Sequence, residues 1–309
     1  MEASITFKNV CKRYNNNSVL SDLSLGIEKG TTFTIIGKDG AGRSTLLKII
    51  AGLTAIDSGS VYVQGREVTQ NTKEVRQNIG YLPPQNIHDP WISGNSNIEK
   101  YYEYSDIESH IFQKRYEYFS DLFEIKDYLA KKPNKYPDGV KRRLDLILVL
   151  IQDPDILLLD EPLKDLDYHI REILLKYLKD VKTKKTTVIT TNEFTEIETV
   201  TDRWIVLHNG SIRYDGDLET MLTHVDLNFT GYLEIKENNR GKIIEQLHSK
   251  DNVRSVKNLG NTIEVETKSA LSFFKIVEEL GESNFYRIAG NSVNMNYLLD
   301  QLTSEEGLE

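Results

Sequence analysis

Two short runs in the sequence carry residue types suited to phosphate chemistry. The first is Gly37-Lys38-Asp39-Gly40-Ala41-Gly42-Arg43-Ser44-Thr45, between the apolar stretch Phe33–Ile36 and the helix-like Leu46–Ile50. It fits the phosphate-loop pattern G-x-x-x-x-G-K-[ST], except that Arg43 stands where lysine is expected. Glycines let consecutive backbone N–H groups converge on phosphate oxygens, and the following helix adds its positive N-terminal dipole. Ser44 is placed to ligate magnesium. Arginine keeps the charge but exchanges a compact ammonium for a planar guanidinium, so nucleotide binding is expected to be weakened and hydrolysis penalised more. A plain glycine turn is the competing reading. The second run, Asp160-Glu161, ends the apolar segment Ile156–Leu159 and reads either as working carboxylates or as a solvated strand end.

These groups need elements to hold them. Strands are expected at Ile5–Val10, Phe33–Ile36, Ser60–Val63, Ile156–Leu159, Thr187–Thr191 and Ile205–His208. Helical patterning runs from about 93 to 129, rich in Tyr101, Tyr102, Tyr104, Tyr116 and Tyr118, and again over Lys141–Ile151. Alternating strands and helices imply a mainly parallel α/β sheet. After about residue 225 the order becomes strand, helix, strand, strand, helix, strand and a last helix, a split β-α-β arrangement of a separate small domain.

The chain has 309 residues, with 38 Lys+Arg against 47 Asp+Glu. That length suggests about two domains. The acidic balance argues against a sequence-independent nucleic-acid binder, which needs clustered cations. No run approaches a membrane span, and the N-terminal stretch lacks the apolar core of a secretory signal. A single cysteine, Cys11, forms no internal disulfide and suits a reducing cytosol.

Taken together, the phosphate loop, Leu158-Leu159-Asp160-Glu161-Pro162, Leu166-Asp167 and the Ser58-Gly59 turn resemble the ATP-binding cassette (ABC) ATPases over about residues 3–222. The resemblance implies a P-loop cassette over 1–222 with a helical subdomain at about 86–150, followed by a small ferredoxin-like α+β domain over 223–309. It implies ATP and magnesium as cofactors. Tyr14 would stack on adenine, unless it is a half-buried strand-end residue. Residues 37–45 would cradle the phosphates, Ser44 and Asp160 would hold magnesium, and Glu161 would be the base orienting the attacking water. Gln85 would complete the metal shell if a one-residue shift is allowed, because an ungapped match puts Pro84 there.

Other parts depart from the family pattern. The signature Leu-Ser-Gly-Gly-Gln reads Tyr136-Pro137-Asp138-Gly139-Val140, so the serine that would reach the opposite subunit's ATP is replaced by Pro137, which has no donor. Asp138 adds negative charge. An ordinary helix-capping turn is the alternative reading. Asn192 takes the switch-histidine position; it could bond a phosphate oxygen or cap a helix entered through Glu193 and Glu196. Lys164 and Asp165 replace small residues in a loop that crosses the family's dimer interface.

The resemblance therefore implies a peripheral subunit on the cytoplasmic face of the membrane. It would couple ATP binding and slow hydrolysis to a separate exporter permease, beside a second ATPase subunit or a second copy. A nucleotide-binding pseudo-ATPase with a regulatory or scaffolding role is the alternative. The closing Leu298-Leu299-Asp300-Gln301-Leu302-Thr303 resembles the terminal helix of exporter subunits.

Overall fold

The apolar run Ile156–Leu159 is buried along its whole length, as a strand covered on both faces must be. In the computed structural model the described residues are 3–70, 72–103, 107–192, 196–223, 229–236, 240–268, 270–281, 284–290 and 299. They divide into two units, 1–216 and 217–309.

The first unit begins with β1 (Ala3–Tyr14), β2 (Asn17–Glu28), β3 (Thr32–Ile36), α1 (Arg43–Ile50), β4 (Ser58–Val63), β5 (Arg66–Glu67), α2 (Thr72–Gln77) and β6 (Ile79–Leu82). A helical region follows with α3 (Gly94–Glu103), α4 (Ser109–Leu122), α5 (Lys126–Leu129) and α6 (Asp138–Leu150). The chain returns through β7 (Ile156–Asp160), α7 (Tyr168–Val181), β8 (Thr186–Thr191), β9 (Arg203–His208) and β10 (Ser211–Gly216).

Two sheets result. One has strand order β10-β9-β3-β8-β7-β6, parallel except for the edge strand β10. The other is antiparallel, in the order β2-β1-β4-β5. Strand β2 has no counterpart among the expected strands. Its buried Leu20, Leu23, Leu25 and Ile27 break strict alternation near Asp22, whose φ is 49°, so its period of two is interrupted. One core joins both sheets to α1, through Ile5, Phe7, Phe33, Leu46, Leu158 and Val188.

The helical region is tied to the sheet at Asp153. Its Oδ2 accepts from Arg115 Nη2 of α4 at 2.8 Å, and its Oδ1 accepts from Lys185 Nζ at 2.5 Å. Two of the tyrosines make defined contacts within this region. Tyr102 stacks on Phe112 with ring centroids 4.3 Å apart, and Tyr116 Oη donates to Asn95 Oδ1 at 2.7 Å. Tyr104 lies outside the described residues.

The second unit is α8 (Leu218–Thr223), β11 (Phe229–Ile235), α9 (Arg240–His248), β12 (Val253–Leu259), β13 (Thr262–Thr267), α10 (Ala270–Leu280) and β14 (Phe285–Gly290). Its sheet, β12-β13-β11-β14, is antiparallel throughout. The alternating buried residues of β11 and β13 pack with Ile243, Leu247, Phe273 and Ile276 of the two longer helices. This is the α+β domain anticipated from element order. The helix expected after residue 290 lies outside the described residues, except for Leu299.

Candidate functional site

A cleft of about 390 Å³ opens where β3, β7 and β8 end, lined by Asp39, Arg43, Ser44, Pro84, Asp160, Glu161, Leu163, Lys164, Thr191 and Asn192. Parallel strands deliver three of its walls to the same edge, the usual place for a ligand in an open α/β sheet. Residues called from distant stretches of sequence therefore meet: the phosphate loop, the acidic strand end and the residue in the switch position.

The loop climbs from β3 into α1 through Gly37, buried, and the exposed Lys38, Asp39 and Gly40. Ala41 N–H donates back to Lys38 O at 3.0 Å, closing a turn. Gly42 is the N-cap of α1, with φ of 107° and no side-chain cap. A Cβ there would stand 2.7 Å from Val19 O. Left-handed backbone and close approach together require glycine. Helix α1 starts without a side-chain cap, an arrangement suited to an anion at its first N–H groups. Ser44 lines the cleft from the first turn, and Thr45 is half-buried beside it.

Arg43 turns inward, with its side chain only 10% exposed. Its Nη1 donates to Thr191 O at 2.7 Å and lies 3.5 Å from Glu161 Oε1; its Nη2 meets Asp39 Oδ1 at 3.3 Å. The guanidinium thus lies between the Asp39 and Glu161 carboxylates.

Asp160 is buried at the end of β7. Its Oδ1 accepts from Thr190 Oγ1 at 2.5 Å, while Oδ2 is buried with no hydrogen-bond partner among the described residues. An orphaned carboxylate oxygen is costly unless something answers it. Together with the Ser44 hydroxyl it fits magnesium, which is typically held by one or two carboxylates plus substrate phosphates. Asp160 also pushes up the Tyr81 phenol on the neighbouring strand, after the larger effect of burial. Glu161 has φ of 51°, left-handed for a side chain that rarely adopts it, at a cost of about 1–3 kcal/mol. Its carboxylate also meets Asn192, whose N–H points to Oε2 at 3.3 Å, and Asn192 Nδ2 reaches Asp39 Oδ1 at 3.5 Å. Residues 193–195, where Asn192 is expected to cap a helix, lie outside the described residues.

Other expected residues fall elsewhere. Gln85 is exposed and does not line the cleft; Pro84 does. Tyr14 is 44% exposed on the β1–β2 hairpin, with Lys12 Nζ 5.0 Å from its ring centroid. The signature segment forms the start of α6 and lies outside the cleft lining. Pro137 is the N-cap and gives no side-chain bond, while Asp138 accepts from Lys141 Nζ at 2.7 Å, which holds its carboxyl below the usual range. The repulsion anticipated from Asp138 is thus locally neutralised. Gly139 packs against the loop after Glu161: a Cβ there would stand 2.9 Å from Asp165 O. Val140 is buried.

One group escaped the sequence reading. Arg142 of α6 is 2% exposed and donates to three carbonyls: Pro83 O at 2.7 Å, and Asp160 O and Glu161 O at 2.9 Å each. Burial draws its guanidinium down, opposed by Asp145, Asp165, Asp160 and Glu161. One helical turn on, Asp145 Oδ1 accepts from Ile87 N at 3.2 Å and His88 N at 3.0 Å, and sits 2.7 Å from His88 Nδ1. The i, i+3 pair of opposite charges on the apolar face of α6 was the available signal.

A larger cavity, about 700 Å³, lies between α2 and α3 and is lined in part by Ile87 and Asp89, at the far end of the loop that follows Pro83. Its lining includes Lys73, Arg76, Ile87, Asp89, Lys100 and Tyr101.

Known proteins share this architecture. An ABC transporter family model matches residues 20–164. The chain is 30% identical over 236 residues to the probable sulfate/thiosulfate import ATP-binding protein CysA of Chlorella vulgaris, covering 75% of this chain and 100% of that one. It is 31% identical over 209 residues to the Nod factor export ATP-binding protein I of Burkholderia lata, covering 67% and 69%. The dimeric structure of a bacterial ABC transporter cassette superposes with a TM-score of 0.64 at 26% identity, over 69% of this chain and 98% of the other. Among the described residues no helix is long and apolar enough to cross a membrane. With a phosphate loop, an acidic strand end and a helical region in one cassette, and relatives of this kind spanning most of it, the chain belongs to the ATP-binding proteins of the ABC transporter family.

Proposed function

We propose that this chain is the degenerate member of an asymmetric pair of ATP-binding subunits, hydrolysing ATP slowly to drive export through a separate permease. It would work peripherally at the cytoplasmic face of the membrane. Residues 1–222 supply the nucleotide function and 223–309 an accessory one. The observation that carries this reading is the Arg43 guanidinium lying between Asp39 and Glu161 while Ser44, Asp160 and Glu161 stay in place. The parts that bind triphosphate are retained, but the cation that should grip it is engaged with the base.

Bound magnesium would neutralise charge on the phosphate oxygens, held by Ser44 and Asp160. The chain's own groups do the rest. Backbone N–H groups at α1 orient the phosphates, and Glu161 would accept hydrogen bonds from the attacking water and orient it. In a composite dimer Pro137 offers the opposite nucleotide no donor, and Asn192 cannot become a cation. Each missing contact of this type typically lowers rate by about 10²–10³, which supports a slow site. The basic residues around the second cavity, with Ile87 and Tyr101, suit a permease segment carrying acidic and apolar side chains.

The Arg43–Glu161 pair also favours the pseudo-ATPase alternative, because it neutralises the base. Mg·ATP binding and steady-state phosphate release, measured with and without the membrane partner, decide between them. The leading reading expects micromolar-to-millimolar binding and turnover that rises with the partner, and expects Arg43→Lys to raise both affinity and rate. Binding without any partner-dependent turnover would leave only the pseudo-ATPase, and no binding would defeat both.

A further inference from the structure

The backbone at Glu161 is held by a residue from a different element. Consecutive carbonyls of an extended strand point to opposite sides. At the end of β7 the left-handed φ of Glu161 breaks that alternation, and Asp160 O and Glu161 O both come within 2.9 Å of one nitrogen, Arg142 Nη2. The other arm of the guanidinium, Nη1, donates to Pro83 O at the end of β6. A planar fork can serve both strand ends at once; a single ammonium cannot.

We propose that Arg142 is the positioning residue for the Glu161 carboxylate. By binding the two turned carbonyls it holds Glu161 in the left-handed conformation that directs its side chain into the cleft. The same guanidinium ties that turn to the loop beginning at Pro83, whose far end Asp145 holds at Ile87 and His88. Helix α6 therefore secures the base and the loop between the two cavities through one pair of side chains. This inference rests on Glu161 being the base, as read above.

The test uses the full chain with its membrane partner and two variants, Arg142→Lys and Arg142→Gln. A small displacement of a reacting group costs about a hundredfold in rate, so kcat should fall about tenfold for Lys and about a hundredfold for Gln. KM for Mg·ATP should stay within about twofold, because Arg142 does not line the cleft. Hydrogen exchange gives a readout independent of turnover. The Glu161 amide, which donates to Thr190 O at 2.9 Å, should exchange about tenfold faster in Arg142→Lys, with Leu157 and Leu158 unchanged. Unchanged kcat and unchanged Glu161 exchange would overturn the proposal. So would uniform loosening of α6 and β7 with parallel losses in kcat and affinity, which marks a merely structural role. If the wild type binds Mg·ATP but never turns over, the ATPase reading fails and the exchange pattern alone decides whether Arg142 positions the turn.

Discussion

The end of β7 and the start of α6 are both places where an ABC cassette meets nucleotide, and here they have diverged. At β7 the groups stay unsatisfied or strained: Asp160 Oδ2 has no partner among the described residues, and Glu161 keeps a left-handed backbone. At the start of α6 two polar side chains, Asp138 and Tyr136, are paired nearby. Asp138 pairs with Lys141, Pro137 caps without a donor, and Tyr136 is buried with its hydroxyl on Tyr128 O at 2.6 Å. Polar groups left unpaired are expensive to keep and signal a ligand; groups paired within one turn signal none. Under the function proposed above, the chain would keep the half of a composite site that serves its own nucleotide and lack the half that serves a neighbour.

The contrast breaks most sharply at Glu161. Glu161→Gln should lower partner-stimulated phosphate release by about 10²–10⁴-fold with little loss of Mg·ATP affinity; equal turnover would mean that the strained end of β7 has no catalytic use. Next in size is Gly139→Val. Its branched side chain meets Asp165 O, and overpacking of this kind costs about 1–3 kcal/mol, read as a lower urea midpoint with the slope unchanged. A tolerated valine would show that this glycine is not held by packing.

Pro137→Ser sharpens the comparison from the other side. Serine supplies the side-chain cap that α6 lacks, which should stabilise the chain by about 1 kcal/mol and raise Tm by a few degrees. If α6 is only a structural start, chain-alone ATP turnover should not change. The smallest effect near neutrality concerns Tyr136, whose phenol burial pushes up to about 12 from 10.0. A raised folded value favours the neutral form, so the contribution is complete below pH 10 and is lost as pH climbs through about 12. Unfolding followed against pH should show that loss in wild type and less of it in Tyr136→Phe.

Much of this was legible because spacing carries it. The phosphate loop, β7 and the β-α-β order of the second unit each rest on fixed periods of glycine, apolar or turn residues, and all formed as read. Strand β2 was not legible, because the irregularity near Asp22 interrupts its alternation. Pro84 and Gln85 differ by one position in a loop without periodicity, so only coordinates show which one meets the cleft. Arg142 and Asp145 fall on the apolar face of α6, so the pair of opposite charges was legible there while its partners were not. Those partners are carbonyls 18 to 59 residues from Arg142 and the Ile87 and His88 N–H groups 58 and 57 residues from Asp145, which no local pattern encodes.

The carboxylate of Asp153 joins two parts of the first unit. It sits just after α6, where one oxygen holds Arg115 from the helical region and the other holds Lys185 at the foot of β8. The pair with Arg115, whose side chains are 26% and 49% exposed, is open to water and worth only about 0–1 kcal/mol. The joint is unequal: the Lys185 arm is buried, its side chain 9% exposed, and also reaches Pro154 O, so an exchange of partners would begin at the Arg115 arm.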